Sequence, residues 1–138
     1  MHKEYKVIKD NYDDAGYASQ DIKKILKLYG FDAPLIKRIS IASYEAEINL
    51  VIHSLGGTIK FIIDDDEKIH LYFDDIGPGI DDIEKAMTKG YSTASKKARD
   101  FGFGAGMGLD NMKNCANTFL INSSKEGTHI HMVFEWKI

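Results

Sequence analysis

Three groups of residues in this sequence have the types and spacing to do chemistry. Glu45 and Asn49 stand four apart in a stretch that reads as helix. At about 100° per residue they project from one face, a turn apart. A carboxylate above a carboxamide on an otherwise apolar helix is costly unless both are used. The Asn49 amide oxygen is the kind of hard donor that Mg²⁺ prefers, and a carboxylate one turn away is placed to orient or deprotonate a hydroxyl. A pair facing water would look the same. His53 prolongs the stripe, where its plainer use is a favourable charge near a helix C-terminus.

The second group is Asp75-Ile76-Gly77-Pro78-Gly79, directly after a strand-like run. A strand-end carboxylate only accepts hydrogen bonds, so it suits an exocyclic amine such as adenine N6. Glycines beside it let a flat ring lie against the backbone. An ordinary Asp-Gly turn is the competing reading. The third is Gly102-Phe103-Gly104-Ala105-Gly106-Met107-Gly108-Leu109, which alternates glycine and then opens a helix. Amides freed at a helix N-terminus hold anions such as phosphate. The spacing is neither that of the P-loop nor that of the dinucleotide fingerprint.

These groups need elements to hold them. A short strand is expected over residues 5–10. Ile22, Ile25, Leu26 and Tyr29 form an amphipathic stripe from Ser19 to Tyr29, with Ser19 as N-cap and Gly30 as stop. Pro34 opens a longer helix running to about Ser54, ended by Gly56-Gly57. The period then changes to two: Ile59, Phe61 and Ile63 alternate in one strand, Ile69, Leu71 and Phe73 in the next. Asp64-Asp65-Asp66 between them reads as a hairpin turn rather than a metal site. A short helix is expected from about Asp81 to Lys89, and a loop rich in Gly, Ser, Thr and Lys over 90–105. A further helix runs from near Gly106 to about Asn117, and strands Thr118–Asn122 and Thr128–Trp136 close the chain, with Ile130, Met132, Phe134 and Trp136 on one face. Helices against a partly antiparallel sheet make a two-layer α/β sandwich.

Composition narrows the class. The 138 residues are 43% hydrophobic and 28% charged, the balance of one soluble domain, and no repeat or linker divides them. A net charge of −3, with both signs mixed along the chain, argues against nucleic acid as the main partner. The opening MHKEYKVIKD lacks the apolar core of a signal peptide, and no apolar run reaches the about eighteen residues of a membrane span. One cysteine, Cys115, excludes an internal disulfide framework and fits a reducing compartment, so a cytoplasmic location is expected. Cys115 itself reads as a buried structural thiol. His129 and His131 share a strand face, but without a third ligand they read as a polar surface rather than a metal site.

The ordered set of ExxxN on a helix, DxGxG after a strand and GxGxG before a helix resembles the nucleotide-binding superfamily of gyrase, heat-shock chaperone, histidine kinase and mismatch-repair ATPases, the Bergerat fold. Within it the likeness is to the stand-alone anti-sigma-factor serine/threonine kinases of bacteria. It rests on Tyr44-Glu45-Ala46-Glu47-Ile48-Asn49 with His53 following, on Gly90-Tyr91-Ser92-Thr93, and on Glu126-Gly127-Thr128 before the last strand. It covers roughly residues 35–136 of what is expected to be one ATP-binding domain, 1–138.

The resemblance implies a mixed, mostly antiparallel sheet with helices on one face, and Mg-ATP as the bound nucleotide. It implies that Asn49 coordinates Mg²⁺ and that Glu45 is the general base. Asp75 would read adenine, with Gly77 and Gly79 as the wall beside the ring. Gly104, Gly106 and Gly108 would belong to the ATP lid and its phosphate-binding hinge, and the Thr128 hydroxyl would support Asp75, often through water. The implied activity is phosphorylation of a small regulatory protein of the anti-sigma-antagonist type, with a sigma factor as a further partner and homodimerisation through the leading strand. The competing class is an ATP-gated binding module without phosphotransfer. A histidine kinase fits less well, because none of His2, His53, His70, His129 and His131 lies in an acceptor-box context.

Overall fold

A computed structural model describes residues 1–53, 56–66, 68–77 and 108–136. The described elements follow the order β1 (His2–Val7), α1 (Tyr17–Leu28), α2 (Ala33–His53), β2 (Gly57–Ile63), β3 (Lys68–Asp75), α3 (Gly108–Cys115), β4 (Thr118–Ser124) and β5 (Gly127–Glu135). The strands form one sheet in the order β1-β2-β3-β5-β4. Every pairing among them is antiparallel, so the described strands carry none of the parallel pairing that a mixed sheet implies.

The alternation in the strands sets the two faces. Ile59 and Phe61 on β2, Ile69, Leu71 and Phe73 on β3, and Ile130, Met132 and Phe134 on β5 are all buried. They meet Ile22 and Leu26 of α1, Ile39, Ala42, Ala46 and Leu50 of α2, and Leu109 and Met112 of α3 in one core. Full burial of each large apolar side chain is worth about 1.5–3 kcal/mol, so this face commits the helices to one side of the sheet. The fold is the expected α/β two-layer sandwich with helices on one face. The β2–β3 turn is also as expected: Asp64 Oδ1 accepts the amides of Asp66 and Lys68, at 2.9 and 3.0 Å, and so closes the turn.

Several boundaries differ from the sequence reading, each for a local reason. The leading strand is His2–Val7 rather than 5–10, because its register on β2 runs from His2 opposite Ile62 to Val7 opposite Gly57. The first helix begins at Tyr17, two residues before the expected cap. Gly16 is its N-cap, with φ of +100° that favours glycine, and Ser19 is buried inside the first turn. The cap is supplied from afar: the Glu47 carboxylate on α2 accepts the amides of Gly16, Ala18 and Ser19 at 3.0–3.1 Å. At the other end Gly30, at φ +79°, is the left-handed stop. On α2 the Asp32 carboxylate caps the Leu35 amide at 3.0 Å ahead of Pro34 in the first turn. The last strand ends at Glu135, and Trp136, beyond it, packs edge-on against Phe31 with ring centres 5.4 Å apart.

Candidate active site

α2 carries a stripe of Arg38, Glu45 and Asn49, and α3 runs antiparallel along it. Arg38 donates to the Cys115 carbonyl at 3.3 Å, at the C-terminal end of α3. Glu45 and Asn49 meet Gly108 at its N-terminal end. The anion therefore faces the positive end of the α3 dipole and the cation its negative end, the arrangement that stabilises both.

The fit at Gly108 is close. A Cβ there would lie 3.2 Å from Glu45 Oε2, 3.2 Å from Asn49 Nδ2 and 3.4 Å from Asn49 Oδ1. Only a bare backbone brings the first turn of α3 this near to both polar ends. One turn on, Asn111 Nδ2 donates to Glu45 Oε1 at 3.2 Å. Glu45, Asn49 and Asn111 are all half-buried, so they are held by neighbours yet reachable from solvent.

The second cluster is built on strand ends. Asp75 ends β3 and continues the helix-facing positions Leu71 and Phe73. Its Oδ1 accepts the backbone N–H of Thr128 in a short hydrogen bond. This approach needs Gly127, whose Cβ would lie 2.3 Å from the Asp75 carbonyl oxygen. Gly77 donates its amide to the Glu126 carbonyl at 2.7 Å, and a Cβ on Gly77 would lie 2.5 Å from the Lys125 carbonyl oxygen. Burial pushes the Asp75 carboxyl above the ordinary carboxylate range and Asp74 adds to this, while the Thr128 amide and His129 oppose it.

Of the residues singled out from sequence, Glu45, Asn49 and Gly108 come together, and so do Asp75, Gly77 and Thr128. Both clusters lie on the helix-bearing side of the sheet. Thr128 holds Asp75 through its main chain, whereas its hydroxyl exchanges a 2.8 Å hydrogen bond with Ser123. Gly79, Gly104, Gly106, the 90–93 segment and the expected Asp81–Lys89 helix lie outside the described residues, as does the side chain of His53. Cys115 is half-buried rather than buried. Burial raises its thiol pKa, Arg38 lowers it and Glu45 raises it. His129 and His131 do share the open sheet face. There His70 bridges Asp64 at 2.7 Å and His131 at 3.0 Å, and no group of three or more metal-type ligands occurs among the described residues.

Asn111 escaped the sequence reading, though the spacing held a signal. It lies three residues after Gly108, and so on the same helix face. Glu47 was read only as part of a motif, and nothing local marks its service to a helix 28 residues upstream.

A glycine-started helix laid against a helix-borne Glu/Asn pair and a strand-end carboxylate held by a backbone amide are thus two clusters on one side of the sheet. Residues 36–138 match the family of histidine kinase-, DNA gyrase B- and HSP90-like ATPases, and the chain belongs to it. Among characterised relatives it is 31% identical over 115 residues to the serine/threonine-protein kinase RsbT of Bacillus subtilis (strain 168), an overlap covering 80% of each chain. The fold matches a crystal structure of RsbU and RsbW domains from Mycobacterium tuberculosis at a TM-score of 0.67 and 15% identity. That match takes in 98% of this chain and 32% of the other.

Proposed function

We propose that this chain is a Mg-ATP-dependent serine/threonine protein kinase that phosphorylates a small regulatory protein of the anti-sigma-antagonist type. One observation carries the reading: a half-buried carboxylate, Glu45, stands with Asn49 against the glycine that opens α3. Holding nucleotide needs the carboxamide and the glycine-freed backbone, whereas transfer of phosphate also needs a base. The likeness to a serine/threonine kinase over most of the chain supports the same conclusion.

The residues fit the nucleotide. Gly108, whose lack of a Cβ lets Glu45 and Asn49 approach, stands at the start of a helix, where phosphates are favoured. Asn49 offers an amide oxygen there for Mg²⁺, whose charge supplies neutralisation of the phosphates. Asp75, whose Oδ1 is held by the Thr128 amide, would accept a hydrogen bond from the adenine amine, and Gly77 and Gly79 would supply the wall beside the ring. Gly104, Gly106 and Gly108 serve the phosphate-side hinge. Glu45 takes the proton of the incoming serine or threonine hydroxyl. The protein works in the cytoplasm as one domain, and a sigma factor and a second copy of the chain are further partners within the same reading. No helix among the described residues is long and apolar enough to cross a membrane.

Incubation with γ-labelled ATP and proteins encoded nearby is the test. Label on a partner serine or threonine, lost in Glu45→Gln, supports the kinase. Tight nucleotide binding with no transfer to any partner removes it and leaves an ATP-gated binding module, in which nucleotide selects one conformation.

A further inference from the structure

We infer that Asn111 is a positioning residue that fixes which oxygen of Glu45 acts as the base. The inference rests on the kinase reading and deepens it. Gly108, Asn111 and Cys115 occupy one face of α3 at i, i+3 and i+7, and that face lies against α2. Leu109 and Met112 point into the core instead, and Lys113 and Asn114 are exposed. Asn111 is therefore the side chain of α3 whose polar end reaches the Glu45–Asn49 pair.

Its hydrogen bond divides the carboxylate. Oε1 accepts Asn111 Nδ2 at 3.2 Å. Oε2 is left on the side of Gly108, 3.2 Å from where a Cβ would stand. A glutamate has three rotatable bonds, and one charge-assisted anchor from a neighbouring helix removes most of that freedom. The free oxygen is then aimed at the first turn of α3, where the reading places the phosphates. In the transfer step the bond between the γ-phosphorus and the β–γ bridging oxygen breaks, and a bond forms to the substrate hydroxyl oxygen. The hydroxyl proton passes to Glu45 Oε2, and ADP leaves with the electron pair of the broken bond. In this scheme the polar contact of Asn111 is the one to Glu45. It acts through Glu45.

Three substitutions separate positioning from packing. Asn111→Ala removes the donor, Asn111→Asp keeps the shape but replaces the donor with a like charge, and Asn111→Gln keeps an amide donor on a longer arm. Each is assayed for kcat, for ATP affinity by calorimetry, and for urea midpoint. Loss of a positioning contact lowers kcat with ATP affinity nearly unchanged, by about tenfold for Asn111→Ala and about a hundredfold for Asn111→Asp, with Asn111→Gln recovering part of the loss. Equal kcat in the wild type and all three variants overturns the inference, as does a loss of kcat that follows the urea midpoint or the ATP affinity. Those results leave the kinase standing, because the wild type still transfers phosphate. A wild-type chain that binds ATP and transfers nothing overturns the kinase reading, and this inference with it.

Discussion

A methyl group at position 108 would press on both polar ends of the Glu45–Asn49 pair. The contacts of 3.2–3.4 Å are tighter than an ordinary Cβ makes, but both neighbours are side-chain tips that can shift by a few tenths of an ångström. Alanine also favours helix over glycine by about 1 kcal/mol. Gly108→Ala should therefore leave the stability from urea unfolding within about 1 kcal/mol of wild type while weakening Mg-ATP binding about tenfold or more. Calorimetry that finds full affinity in this variant would take the pair out of the nucleotide site. Asp75 gives the opposite kind of signal. Its carboxyl is raised from the ordinary 3.8, chiefly by burial, so the folded state holds that proton more tightly than the unfolded chain does. The sign follows: ionising Asp75 costs stability, a cost absent below 3.8 that grows as pH rises and is complete above the raised folded value. Asp75→Asn keeps an acceptor oxygen for the Thr128 amide and removes the charge. It should be at least as stable as wild type at pH 7, with the advantage shrinking on acidification toward 3.8, and it should lose adenine nucleotide affinity. Denaturant midpoints across that range check the first half. An advantage that grew on acidification would reverse the assignment of burial as the dominant cause.

At the scale of elements, α2 joins the site to the rest of the fold. One edge presents Glu45 and Asn49 to α3, and another presents Glu47, 3% exposed, to the start of α1. α1 has no acidic residue in its own first turn and no side-chain cap of its own. Three amides of that turn depend on Glu47. Glu47→Ala should cost about 2–4 kcal/mol, since hydrogen bonds to a charged acceptor are worth about 1.5–3 kcal/mol each and do not add fully. The amides of Ala18 and Ser19 should lose exchange protection before the rest of α1. Undiminished protection there would mean that water replaces the carboxylate without loss. This contact also marks where the sequence stopped being readable. β2, β3 and β5 showed themselves through residues such as Phe61, Leu71 and Met132, because a half-buried strand must alternate. The middle of α2 and the Glu45–Asn49 spacing were legible because both are local. Ser19 was misread as a cap because capping propensity is a local signal, while the actual cap comes from a helix still to be made. The hold of the Thr128 backbone on Asp75 left no mark in the sequence, because any residue but proline supplies an amide.

For the whole molecule, the question is whether two layers make one cooperative unit. The buried set runs without interruption from Tyr5 on the edge strand to Phe134 on β5, and each of the described helices contributes to it. β1, although an edge, is tied to the helical layer, since Asp21 on α1 accepts from both Lys3 and Tyr5 at 2.6 Å. Trp136 adds a bridge of another kind, joining the end of β5 to Phe31 in the α1–α2 connection, so that its surroundings exist only when both layers are in place. It is the chain's one tryptophan and 37% exposed, which makes its emission a clean report on that junction. If the domain folds as a single unit, urea unfolding followed by Trp136 fluorescence and by far-ultraviolet circular dichroism should give one midpoint and one slope. Saturating Mg-ATP should move both curves together, by an amount that grows with the logarithm of nucleotide concentration, because a ligand of the folded state stabilises every part that unfolds with the site. A tryptophan transition that preceded the helical one, or that ignored nucleotide, would show that the β5–α1 junction opens on its own, and would divide the chain into two units.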